Sequence, residues 1–138
     1  MAKAVVADSG AIVAALDRRD IHHAWALAQF GALREPLITC EAVISESFFL
    51  LSRLRTGKEQ LCTFLERGLI RISFDANVEL PDILRLMRRY ADTPMSFADA
   101  CLVRMVEKES AAVVFTADSD FSIYRRGGRQ VIPLIAPW

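Results

Sequence analysis

The chain has 138 residues, 53% apolar and 25% charged, which excludes a disordered protein and supplies enough apolar material for one domain's core. Lys and Arg number 17, Asp and Glu 17, for a formal net charge of +0. That balance excludes a protein that coats nucleic acid without specificity, since such binding draws its affinity from phosphate neutralisation, but not a nuclease whose acidic site masks a basic rim elsewhere. No apolar run approaches the roughly 20 residues of a membrane span, and the run opening at Met1-Ala2-Lys3 is too short for a signal peptide and stops at Asp8.

In chain order, Ala4-Val5-Val6-Ala7 predicts a short buried strand, followed by a helix with Ile12, Val13 and Leu16 on one face. Asp17-Arg18-Arg19-Asp20 is a charged turn before a helix from about Ile21 to Leu33, whose apolar residues are Trp25, Leu27 and Phe30. Leu37-Ile38 follows Pro36 as a minimal strand, with Thr39 the expected N-cap of a helix carrying Glu46. Thr56-Gly57-Lys58-Glu59 has the form of a capping box, and Gly68 closes the helix it opens. Leu69–Ser73 alternates like a strand, and a helix is predicted from about Val78 to Tyr90. After Pro94, Ser96 caps a helix with Asp99 at the third position of a capping box. Ala112–Thr116 is the clearest buried strand, Gly127-Gly128 a turn, and Val131–Ile135 a last strand whose Pro133 suits a sheet edge.

Strands separated by helices imply parallel crossovers, hence a three-layer α/β/α sandwich around a mainly parallel sheet, in a single domain over residues 1–138. Cys40, Cys62 and Cys101 are odd in number and form no C-x-x-C, so neither a disulfide framework nor a zinc knuckle is expected; all three suit small core positions and a reducing cytoplasm.

Four acids interrupt apolar context. Asp8 ends the first strand, and its plain reading is an N-cap. Glu46 stands among Val43, Phe49 and Leu50, at helical spacing; its plain reading is the edge of the stripe, reaching water or Arg53. Asp99 either caps with Ser96 or points inward beside Leu102, Val103 and Val106. Asp118 follows the Ala112–Thr116 strand, where an Asx turn is the plain reading, and Asp120 is expected to cap a short turn beginning at Phe121. Burying charge is costly unless it is paired or bound to metal. Asp8 and Asp118 both end strands, and parallel strands share one C-terminal edge, where open α/β sheets build their sites.

Other features carry plainer readings. His22-His23 are adjacent on a helix, about 100° apart, so they do not chelate one ion and are expected at an exposed helix start. Arg53, Arg55, Lys58, Arg125, Arg126 and Arg129 either face RNA or form solvated surface; Arg85, Arg88 and Arg89 form a solvated helix face. Trp25 and Phe30 are expected in the core or an interface. Phe48, Phe49, Leu50, Leu51 and Leu54 exceed what one helix face buries and hint at a partner contact.

Asp8-Ser9 after the first strand, Ala42-Val43-Ile44-Ser45-Glu46-Ser47-Phe48, Ser96-Phe97-Ala98-Asp99-Ala100 and Thr116-Ala117-Asp118-Ser119-Asp120-Phe121 together resemble the PIN-domain nucleases. Within that family the chain is most similar to the small VapC-like toxins of bacterial and archaeal toxin–antitoxin pairs, from Val5 to about Leu134. The resemblance implies a metal-dependent endoribonuclease, with Asp8, Asp99 and Asp118 as metal ligands and Glu46 holding a second ion or a metal-bound water. Ser9 and Thr116 stand beside the metal, with Thr116 orienting the acids. It also implies RNA as substrate, a cognate antitoxin and a homodimer. Hard oxygen ligands select Mg²⁺, with Mn²⁺ as the alternative.

Three readings rival this one. A PIN nuclease of RNA processing would have no antitoxin. An inactive PIN domain used as an interaction module sits badly with an intact acidic quartet. A haloacid-dehalogenase-type phosphotransferase wants a second aspartate two positions after Asp8, where Gly10 stands.

Overall fold

The computed structural model describes residues 3–138; Met1 and Ala2, the start of the stretch tested for a leader, lie outside the described residues. Strand β1 (Val5–Ala7) leads through Asp8 into helix α1 (Ser9–Leu16), and α2 (His23–Gly31) returns the chain to β2 (Leu37–Thr39). Helices α3 (Glu41–Leu51) and α4 (Gly57–Glu66) then lead to β3 (Ile70–Ile72). Helices α5 (Leu80–Arg89) and α6 (Phe97–Lys108) carry the chain back across the sheet to β4 (Val113–Phe115). A 3-10 turn (Ser119–Ser122), an antiparallel hairpin of β5 (Arg125–Arg126) and β6 (Gln130–Val131), and the short β7 (Leu134–Ile135) complete it.

The described strands form a five-stranded, wholly parallel sheet in the order β3-β2-β1-β4-β7, with the β5–β6 hairpin apart from it. The fold is thus a three-layer α/β/α sandwich. Right-handed crossovers dictate the layers. The path β1→β2→β3 moves in one direction and lays α1 to α4 on one face; β3→β4 moves back and lays α5 and α6 on the other. Strands covered on both faces must be apolar throughout, as Val5-Val6-Ala7 and Val113-Val114-Phe115 are, every one buried. The order reverses between β1 and β4, the place where parallel sheets open a crevice. Register aligns Ala7 with Phe115, so the residues after each strand emerge side by side.

Several expectations needed correction. Thr39 does not cap α3: its hydroxyl donates to Ala7 O at 2.7 Å, tying β2 to β1, and the capping position falls to Cys40, without a side-chain bond. Thr56 makes no capping bond either. The last strand is split: Val131 pairs with β5, whereas Leu134 and Ile135 pair with β4, where Pro133 O accepts from Val114 N at the sheet edge. Gly127 and Gly128, at φ of 61° and 83°, supply the left-handed turn of the β5–β6 hairpin. Leu27 is exposed, while Trp25 packs on Phe115 with ring centroids 5.3 Å apart. His22 and His23 are half-buried; the His23 ring bonds Ala14 O at 2.7 Å. Cys40 and Cys101 are buried and Cys62 half-buried, all as free thiols.

Candidate metal centre

Asp8 leaves the end of β1 and N-caps α1: its Oδ1 accepts from Ser9 N at 2.7 Å. The capping reading is met, and it leaves Asp8 at the sheet edge. Its Oδ2 accepts from Thr116 Oγ1 at 2.9 Å, and the same hydroxyl accepts from Asp118 N at 2.9 Å. Thr116, at the end of β4, thus links the acids that follow the two neighbouring central strands. Asp118, not Asp120, caps the 3-10 turn, since its Oδ1 accepts from Asp120 N at 2.9 Å. The sequence reading placed that cap two residues too late.

Asp99 occupies the first turn of α6 in a complete capping box: its backbone N–H donates to Ser96 Oγ at 3.0 Å, and its Oδ2 accepts from Ser96 N at 3.3 Å. A second donor reaches that oxygen, Tyr124 O–H, at 2.9 Å. Tyr124 is fully buried and lies 25 residues from Asp99 in sequence. The sequence reading missed it; the only signal was a buried-type aromatic close behind the Asp118 motif. Glu46 is held by Ser9, whose Oγ donates to Oε1 at 3.0 Å.

These side chains line one open cleft of about 570 Å³, walled by Asp8, Ser9, Gly10, Glu46, Leu50, Pro94, Ser96, Asp99, Ala117, Asp118 and Ser119. The four predicted acids are therefore brought together from four elements. Their burial is uneven. Asp8 and Asp99 are 6% and 8% exposed, Asp118 is half-buried, and Glu46 is exposed. The buried face of α3 is Val43, Ile44, Ser47 and Leu51, with Phe49 and Leu50 turned out beside Glu46. Of its three apolar neighbours Val43 is buried and Phe49 and Leu50 are exposed, so Glu46 stands at the edge of the buried stripe, as in its plain reading, rather than within it.

The electrostatics are those of a site lacking a counter-charge. Among the described residues no Lys, Arg or His lines the cleft, and the ion pairs all lie elsewhere, within and between α5 and α6 and at the Glu79 cap of α5. Burial lifts the Asp8 carboxyl to about 7 against the bonds from Thr116 and Ser9, and the charges of Asp99 and Asp118 push the same way. Asp99 is raised by burial, opposed by Tyr124 and Ser96 and assisted by Asp118. Among the described residues no three His, Cys, Asp or Glu side chains already close around one point. A hard divalent cation needs no such cage, since Mg²⁺ keeps several waters and takes one or two carboxylates. Asp99 Oδ1, Asp118 Oδ2 and Glu46 Oε2 have no hydrogen-bond donor among the described residues. An all-oxygen, uncompensated anionic cleft with free acceptors fits such a cation.

Arg125 and Arg126 bond backbone carbonyls of the fold. Arg125 Nη1 donates to Ser122, Ile123 and Tyr124 carbonyls, and Arg126 to Ser110 O. Arg85 pairs with Asp82 and Glu107, and Arg89 donates to Gly128 O.

The family model of the PIN domain matches residues 5–127. No curated protein matches the chain. Among solved structures, the crystal structure of Mycobacterium tuberculosis VapC20, a Sarcin-Ricin loop cleaving toxin, superposes with a TM-score of 0.76 at 22% identity, covering 94% of this chain and 100% of that one.

Proposed function

The chain belongs to the PIN-domain family, and from that premise we propose that it is a divalent-metal-dependent endoribonuclease that hydrolyses RNA phosphodiester bonds and serves as the toxin of a toxin–antitoxin pair. One observation carries the reading: three aspartates and a glutamate from four elements share a cleft that, among the described residues, holds no side-chain cation. The likeness to VapC20, itself an RNA-cleaving toxin, adds the substrate class and the biological setting.

In this reading Asp8 and Asp99 hold the cation directly, Asp118 directly or through water, and Glu46 holds a second ion or a water. The cation is Mg²⁺, with Mn²⁺ as the alternative. Such an ion, when bound, acidifies a water and offsets charge building on the scissile phosphate. The chain's own contribution is positioning. Thr116 fixes Asp8 Oδ2 and the Asp118 backbone through one hydroxyl, and Ser9 holds Glu46 by one oxygen, leaving the other for a ligand. Exposed Leu50 and Pro94 wall the cleft. The chain acts as one nuclease domain over residues 1–138, in the cytoplasm. Among the described residues no helix is long and apolar enough to cross a membrane. Exposed Phe49 and Leu50, at 75% and 45%, mark the surface for a second copy or the antitoxin.

The test is cleavage of a structured RNA by purified protein with Mg²⁺ or Mn²⁺ and with EDTA. Cleavage should need metal and should fall at least 100-fold in Asp8→Asn and Asp99→Asn, with circular dichroism unchanged. Metal-independent cleavage, or full activity in either variant, refutes the reading. Growth arrest on expression, relieved by a small protein encoded beside it, separates a toxin from a processing nuclease.

A further inference from the structure

Resting on the cation-site reading of the acidic cleft, we propose that Tyr124 is a positioning residue for that site, its phenol O–H fixing the Asp99 carboxylate so that Oδ1 is presented to the cation. Oδ2 of Asp99 is occupied twice, by Tyr124 O–H at 2.9 Å and Ser96 N–H at 3.3 Å. Oδ1 has no donor among the described residues. An aspartate terminal torsion is broad and roughly two-fold, so without a fixed donor the carboxylate is free to exchange its oxygens or tilt away.

Tyr124 is built to be that donor. Its ring is fully buried, edge-on to Tyr90 at 5.2 Å and 70° and to Phe121 at 5.2 Å and 85°. The backbone beside it is pinned, because Arg125 N donates to Tyr90 Oη at 2.8 Å and the Arg125 guanidinium turns back onto the Tyr124 carbonyl at 3.1 Å. A phenol is uncharged at ordinary pH and its O–H is a hydrogen-bond donor. Neutrality matters. A lysine or arginine here would pair with Asp99 and compete with a cation, whereas a phenol orients the carboxylate and leaves its charge in place. The segment Thr116–Tyr124 thus serves three acids: a hydroxyl to Asp8, the Asp118 carboxylate itself, and a phenol to Asp99.

The plainer account is that Asp99 merely satisfies a buried phenol. Tyr124→Phe separates the two, since it keeps the ring and removes only the donor. Donors to metal-binding side chains typically affect metal affinity by 10–100-fold. Isothermal titration of metal-free Tyr124→Phe with Mn²⁺ should show weakening in that range, and the Mn²⁺ concentration for half-maximal RNA cleavage should rise in parallel, with much of the rate recovered at saturation. Unchanged Mn²⁺ affinity in a folded Tyr124→Phe overturns the proposal and leaves the cation site standing. A wild type that binds neither Mn²⁺ nor Mg²⁺ overturns both. A second measurement needs no variant that folds poorly: Tyr90 and Tyr124 are the chain's two tyrosines, so ring-labelled wild-type protein gives two phenol-carbon signals. Mg²⁺ should displace the Tyr124 signal more than that of Tyr90; a Tyr124 signal that stays in place while Mg²⁺ binds refutes the role.

Discussion

Asp8 accepts bonds from Ser9 N–H and the Thr116 hydroxyl, yet burial outweighs both and lifts its carboxyl from 3.8 to about 7. Linkage gives this a sign. Between those values the folded state binds a proton that the unfolded chain has released, so stability falls as pH rises and levels off above about 7. The whole difference is worth at most about 4 kcal/mol. Asp99, raised in the same direction, adds to the slope. Glu79 works oppositely and in a lower window. Arg104 and Lys108 hold it below its ordinary 4.5, so its contribution is present above that value and is lost as pH falls through the depressed one. In EDTA, urea unfolding of the wild type should therefore show stability declining from about pH 4.5 to pH 7. Asp8→Asn should flatten much of that decline and be the more stable protein at pH 8, though inactive. A wild type that gains stability across the interval would show that the Asp8 proton is not held in the fold.

At the scale of elements, hydroxyls at helix starts divide by what else they can reach. Ser96 bonds Asp99 N at 3.0 Å, Thr39 spends its hydroxyl on Ala7 O, and Thr56 makes no cap bond. Ser96→Ala should cost about 1–2 kcal/mol, whereas Thr56→Ala should stay within about 0.5 kcal/mol; equal losses in chemical denaturation would contradict the assignment. The same competition sets what the sequence could reveal. Strands β1 and β4 were legible because burial on both faces leaves an unbroken apolar run, and α6 because its capping box is a local signal, Ser96 and Asp99 standing three residues apart. The placing of Asp8 and Asp118 on adjacent strand ends was legible as a condition and needed the strand order to be met. Thr39 was misread because a threonine between strand and helix has two backbone targets and sequence does not rank them. The face of α3 was misread because Phe49 and Leu50, exposed beside Glu46, have the spacing of a buried stripe. Tyr124 was illegible for a different reason: no local period links it to Asp99, and only the return of the chain after β4 brings them together.

Across the whole molecule, the fold concentrates negative charge where its strand order reverses and keeps its cations elsewhere. The ion pairs among the described residues lie within α5, within α6 and between the two, through Glu79, Asp82, Arg85, Arg104, Glu107 and Lys108. None reaches the cleft at the ends of β1 and β4. Without a cation the protein carries buried carboxylates whose mutual repulsion is uncompensated, and a ligand that removes this cost must stabilise the whole fold, because binding to the native state adds directly to unfolding free energy. At a metal concentration one hundred times its dissociation constant the gain is about 2.7 kcal/mol, a rise in melting temperature of roughly 10 °C for a domain of this size. Protons compete for Asp8, so the rise at a fixed Mn²⁺ concentration should be larger at pH 8 than at pH 5.5. In Asp8→Asn the metal-free melting temperature at pH 8 should start higher than that of the wild type, and Mn²⁺ should move it much less. Equal Mn²⁺ shifts in the two proteins, measured by differential scanning calorimetry at both pH values, would mean that the cation binds away from this cleft. The acids at the sheet edge would then need another explanation for a cost the fold does not otherwise offset.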